Sequence, residues 1–254
     1  MKFQNKKERT IAYPHRLLNK ISMWLLPLQS SNSKYYKGSY KSDESTITVV
    51  SNYEISPQDG RIFDYVLSRI QSISLENKTI NVKVKDILDE LGFINRTENR
   101  DKVVHSLQKI VDLTITLSWN TGSISAKLLD KVIKRDGNKE LTIILDQSFI
   151  DAMDSSKAKI RYLNIQKTMH VKSKYAIELA KILQMSGRGV HKSTGKPNPV
   201  NEISHIALSE YLCLDNKTQS SITQVRKAFK ELQIYEYPNY KYNSNLNTWK
   251  KQNT

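Results

Sequence analysis

The chain has 254 residues, with 40 Lys and Arg against 25 Asp and Glu, a formal net charge of +15. That length suits one large domain or two small ones, and the charge points to a polyanionic partner, most commonly nucleic acid. A single cysteine, Cys213, excludes an intrachain disulfide framework and a Cys-based zinc site; no apolar run reaches the roughly 18–20 residues of a membrane span, so a reducing cytoplasm is the expected compartment.

Residues 1–55 read as a poorly defined N-terminal arm or linker. Within them "ISMWLLPL", Ile21–Leu28, is a short hydrophobic segment expected to pack on the body or on a partner. "SSNSKYYKGSYKSDES", Ser30–Ser45, is polar and interleaves Tyr with Lys, and "TITVV", Thr46–Val50, is a strand candidate. Phe63, Val66, Leu67 and Ile70 then recur at i, i+3, i+4, i+7, the spacing of one helix face. "TINVKV" alternates and is β-branched, as a strand requires. Ile87, Leu88 and Leu91 mark a short helix, with Gly92 where a C-cap falls. Val103, Leu107 and Ile110 share a face of a longer helix. Three β-type runs follow, "TITLSW", "ISAKLLDKVIK" and "ELTIIL", with "RDGN" as the hairpin turn between the last two.

The same order then recurs. Ala176, Leu179, Ala180 and Leu183 form a helix face; "EISHI" is a short strand; Leu208 and Leu212 lie on a short helix. A longer helix buries Ile222, Val225, Phe229 and Leu232, and "IYEYPNYKY" reads as a β-type tail that looks short for a wing. Helix, strand, short helix, turn, helix and β-ribbon is the winged helix-turn-helix plan, in which the second helix of the pair enters the major groove. The fold class expected is therefore α+β, two tandem winged helix-turn-helix domains after the arm. Residues 56–165 form the first, for dimerisation and DNA contact, and 166–254 the second, the main DNA-binding domain.

The second long helix has polar and basic residues off its apolar face. Gln219, Ser220, Ser221, Thr223 and Gln224 lie near its N-terminus, where such helices meet base edges, and Arg226 suits bidentate pairing with guanine. Lys217, Lys227 and Lys230 are placed for phosphate. Arg96, Asn99, Arg100, Lys102 and Lys109 are the counterparts in the first unit, diluted by Glu98 and Asp101. "SGRGVHKSTGKPN", Ser186–Asn198, adds Arg188, Lys192 and Lys196 as backbone contacts in a basic loop, the alternative being a surface insertion that makes no DNA contact. It is not a P-loop: Pro197 stands where the hydroxyl residue belongs, and Gly189 is one position too early.

No enzyme motif emerges. The five histidines, His15, His105, His170, His191 and His205, include no pair close enough for a nickase or HExxH metal site, and there is no Gly-x-Ser-x-Gly elbow. Neither a catalytic group, nor a metal, nor a cofactor is expected.

Lys174-Tyr175-Ala176, then Leu208, Glu210 and Leu212, then Arg226, Lys227 and Phe229 resemble the second winged helix of theta-type plasmid replication initiators. "RIFDYVLSRI" through "TIILDQSFID" resembles the first, so the likeness runs from about Ser56 to Tyr237. It implies a non-catalytic protein that binds repeated double-stranded origin sites (iterons), helps open the origin and recruits the host initiator and helicase, with homodimers formed through the first domain. A winged-helix transcriptional regulator is the alternative, and a DNA-nicking enzyme a more distant one.

Overall fold

Two sets of apolar side chains, one on each repeat of the helical pattern, close two cores. The computed structural model describes residues 10–14, 24–27, 29–31, 35–41, 45–71, 78–154, 160–164, 170–186 and 201–252. The chain begins with β1 (Thr10–Pro14), β2 (Gln29–Ser31), β3 (Tyr35–Lys41) and β4 (Ser45–Ser51). The stretch read as a linker thus supplies strands: β3 and β4 pair antiparallel, with Ser39 opposite Thr48. Ile47 and Val49 point into the first core, where Trp24 and Leu26 join them, so the hydrophobic segment packs on the body. Composition hid β3 because its inner face is made by Gly38 and Tyr40 rather than by aliphatic residues.

α1 (Pro57–Gln71) starts with a reciprocal cap. Ser56 N–H donates to Asp59 Oδ2 at 2.7 Å, and Asp59 N–H returns to Ser56 Oγ at 3.4 Å, satisfying donors that the helix leaves open. Phe63, Val66 and Leu67 are fully buried on its inner face. Next come β5 (Thr79–Lys83), α2 (Val84–Leu91) and α3 (Thr97–Val111). Gly92 takes φ 73°, the left-handed cap expected of it, and Phe93 N–H closes the motif on the Leu88 carbonyl at 2.8 Å.

β6 (Thr114–Trp119), β7 (Gly122–Lys127), β8 (Leu129–Arg135) and β9 (Glu140–Leu145) follow. The run "ISAKLLDKVIK" is therefore two strands in different sheets. Leu128 and Leu129 are both buried, which a single alternating strand does not allow, so the chain turns a corner between them. One sheet has the order β2-β3-β4-β6-β7; the other, β5-β9-β8, carries the β8–β9 wing. After α4 (Gln147–Asp154), β10 (Ile160–Asn164) returns to pair with β1.

The second core gathers α5 (Lys174–Ser186), β11 (Glu202–Ser204), α6 (His205–Tyr211), α7 (Gln219–Gln233), β12 (Tyr240–Asn243) and β13 (Thr248–Lys251). Val225, Phe229 and Leu232 meet Leu179, Leu208, Leu212 and Trp249 there. The wing is longer than the sequence reading: β13 pairs with β12 on one side and β11 on the other. Ile234–Pro238 is a turn rather than strand, with Glu236 at φ 63°. Cys213 is half-buried against the first core, and burial, reinforced by Glu178, pushes its thiol up to about 12.

α1 and α5 also share buried charge. Lys181 Nζ lies 2.7 Å from Asp64 Oδ2 and 3.0 Å from Glu178 Oε1, with all three side chains shielded from water. Burial works against the Lys181 ammonium, but Asp64 and Glu178 outweigh it, and its pKa is raised.

Candidate nucleic-acid interface

In the second unit, the turn before α7 is built to present its N-terminus. Asp215 Oδ1 accepts from Lys217 N–H at 3.0 Å, and the Thr218 hydroxyl donates to the Asp215 carbonyl at 3.1 Å. Thr218 is the N-cap, its oxygen accepting from Ser221 N–H at 3.4 Å. Because Val225, Ala228, Phe229 and Leu232 claim the inner face, Gln219, Ser220, Arg226, Lys227 and Lys230 are left exposed, with Lys217 beside them in the turn. Thr223 and Gln224 are half-buried at the margin; Thr223 Oγ1 donates back to the Gln219 carbonyl at 3.0 Å, and Gln224 Nε2 approaches Ser220 Oγ at 3.4 Å.

Ser221 is different. It is 1% exposed, and its hydroxyl points inward to His205 and to the Thr218 carbonyl, so it does not stand among the outward-facing readers. The pattern hid this because Ser at that position is polar, and its partner His205 lies 16 residues away in another helix. Glu231, the helix's one carboxylate, faces away too: it accepts from Lys172 N–H at 2.6 Å and Ser173 N–H at 3.2 Å, at the start of α5. The outer face of α7 is therefore cationic and amide-rich, free of acidic side chains.

α3 of the first unit is less uniform. Asn99 Nδ2 donates to the Ile94 carbonyl at 2.8 Å and Arg100 Nε to Asn95 Oδ1 at 2.7 Å, so both fasten the preceding turn. Lys102 is exposed and paired with Glu98; the hydrogen bond from Lys102 holds the Glu98 carboxyl below its ordinary value. Arg96 is exposed at the helix start. Lys109 sits at the far end, donating to the Glu54 carbonyl at 3.0 Å with Asp59 3.7 Å away, turned toward α1 rather than outward with Arg96. Asp101 Oδ1 accepts from Asn138 Nδ2 of the wing turn at 3.0 Å, linking wing and helix. Lys131, Lys134, Arg135 and Lys139 are exposed along that wing. Arg188, Lys192 and Lys196 lie outside the described residues.

Sequence reasoning missed the cations of the second wing, Lys241, Lys250 and Lys251. The signal was the alternation around Trp249, whose ring fills the second core while Lys250 points out. Among the described residues no three His, Cys, Asp or Glu side chains come together as a metal site, and no helix is long and apolar enough to cross a membrane.

Two winged helices, each pairing an outward helix with a basic β-ribbon, define a tandem DNA-binding architecture. The family model for the Initiator Replication protein, WH1, matches residues 40–184, and the chain belongs to that replication initiator family. In fold it is similar to the Pi initiator protein, solved in complex with iteron DNA, at TM-score 0.58 and 11% identity over 98% of this chain and 100% of that one. It is also similar to domains 2 and 3 of RctB, at TM-score 0.57 and 12% identity, covering 82% of this chain and 80% of that one. No curated protein matches it by sequence.

Proposed function

We propose that this plasmid replication initiator binds repeated, double-stranded origin sites with both winged helices, α7 making the principal base contacts. The observation that carries this is the outer face of α7, where Arg226, Lys227 and Lys230 stand exposed beside Gln219 and Ser220 with no carboxylate among them. Arg226, Gln219, Ser220, Thr223 and Gln224 are the readers; Lys217, Lys227 and Lys230 hold phosphate. Arg96 and Lys102 of α3 and the β8–β9 wing add backbone contacts, and Arg188, Lys192 and Lys196 are assigned the same role from the basic sequence around them. Pi, an initiator of the same fold, was solved on iteron DNA.

The protein performs no bond-breaking chemistry in this reading. It opens the origin by binding and passes it to the host initiator and helicase. The first unit, enlarged by the strands from Gln29 onward, also serves as the dimerisation surface. Support comes from the outer face of its five-stranded sheet, where Ser39, Thr48, Thr116 and Ser125 align across four neighbouring strands. Their hydroxyls bond in pairs, Ser39 to Thr48 at 3.1 Å and Thr116 to Ser125 at 2.8 Å, forming an uncharged row flanked on the same face by Lys37, Lys41 and Lys127.

Footprinting the purified chain on the DNA flanking its gene tests the proposal. Protection of direct repeats, with supercoiled DNA left intact in Mg²⁺ or Mn²⁺, is the expected result. Protection of one lone palindrome, or nicking, would sink it.

A further inference from the structure

We infer that His205 is a positioning residue that locks the wing of the second unit to its recognition helix, so that β12–β13 and α7 read DNA as one rigid head; this rests on the DNA-binding reading above. His205, the first residue of α6, is buried beside the second core, with the rings of Trp249 and Tyr242 packed against it. Its Nδ1 lies 3.1 Å from Trp249 Nε1 on β13, and its Nε2 3.0 Å from Ser221 Oγ in the first turn of α7. Ser209 Oγ shares Nε2 at 3.3 Å. An indole N–H only donates, so Nδ1 must accept and the ring proton sits on Nε2. Nε2–H then donates to Ser221 Oγ, whose own proton goes to the Thr218 carbonyl at 2.8 Å. The His205 backbone N–H is also bound, to the Asn247 carbonyl of the wing turn at 3.0 Å.

One residue is thus bonded to three parts of the head: its imidazole to the wing strand and the start of the recognition helix, its backbone N–H to the wing turn. The Ser221 end matters most, because Ser221 lies between Ser220 and Thr223, the side chains offered to base edges. An apolar side chain would fill the same space and leave the Trp249 N–H buried without an acceptor. A satisfied polar network fixes one arrangement where apolar packing tolerates several. The geometry therefore assigns His205 to the angle between wing and helix, and through it to sequence discrimination.

The test compares His205→Leu, His205→Gln and Trp249→Phe in the full chain. Affinity is measured for a duplex carrying one repeat from the DNA flanking the gene and for a random duplex of equal length, with hydroxyl-radical footprints of each complex. His205→Leu and Trp249→Phe should each lower the specific-to-random affinity ratio by roughly tenfold, the worth of one or two buried hydrogen bonds. Their footprints should lose the part protected by the wing and keep that of α7. His205→Gln offers an acceptor oxygen and a donor nitrogen and should hold the ratio within about threefold of the parent. A ¹⁵N spectrum should show the imidazole protonated at Nε2 only. An unchanged ratio and footprint in His205→Leu, or in Trp249→Phe should the leucine variant not fold, overturns the inference, as does a Gln variant no better than Leu. If the parent protein itself does not prefer the repeat, the DNA-binding reading has failed instead.

Discussion

Arg226 stands clear of the packed face of α7, with Val225 buried before it and Lys227 exposed after it, so its truncation removes no core contact. Arg226→Ala should leave folding unchanged and weaken binding to the cognate repeat by about 1–3 kcal/mol if the guanidinium pairs with a base. An unaltered ratio of specific to random-DNA affinity would exclude that role. His205 is the opposite kind of residue, reached by no solvent and carrying a titration. Burial pulls its imidazole below the ordinary value. The unfolded chain therefore takes up the proton first as pH falls. The contribution of the neutral ring to stability is complete above about pH 6.5, the value of a free imidazole, and is lost as pH falls through the lower folded value. Urea melts of the parent between pH 7 and 5 should show this loss, and those of His205→Gln should show a smaller one. Equal slopes would mean that His205 does not set the acid limb.

Elements formed where each local preference agreed with the packing. The helix faces were legible because Val103, Leu107 and Ile110, or Val225, Phe229 and Leu232, repeat at helical spacing and are buried as that spacing requires. Gly92 was legible because a left-handed cap suits glycine best. What stayed hidden depends on partners distant in sequence. β3 is a strand because β4 pairs with it, β13 because it fills the gap between β11 and β12, and Ser221 turns inward because His205 awaits it. The candidate readers were visible as types, but which of them face outward was decided by tertiary contacts. Gly60 shows the same contest between local and tertiary terms. It lies inside α1, where replacement by Ala gains roughly 1 kcal/mol of helix propensity. A Cβ there would stand 2.6 Å from Cδ2 and 2.7 Å from Cε2 of the Trp24 ring, which is itself buried. Gly60→Ala should therefore destabilise the protein, by about 1–3 kcal/mol as overpacking does. A rise in the unfolding midpoint would show that the Trp24 ring can move away freely.

At the scale of the whole molecule, buried ions join the two units and exposed ions face outward. Lys181 of α5 reaches across to Asp64 of α1, so Lys181→Met removes the buried ammonium that Asp64 and Glu178 both contact and should cost about 3–5 kcal/mol in denaturant unfolding. The exposed charge is distributed unequally. A cation already paired with a carboxylate releases little from the phosphate atmosphere of DNA, whereas an unopposed one displaces a counterion when it binds. Each phosphate neutralised contributes about 0.9 to the slope of log affinity against log salt. Lys227 and Lys230 lie on a helix face with no acidic side chain, whereas Lys102 is held by Glu98. The double change Lys227→Ala and Lys230→Ala should therefore flatten the slope by about 2, on specific and random duplexes alike. Lys102→Ala should alter it by well under 1. Fluorescence anisotropy titrations over a range of KCl concentrations measure both. Equal slope changes for the double variant and Lys102→Ala would assign the two recognition helices equal electrostatic shares, contrary to the asymmetry of their outer faces.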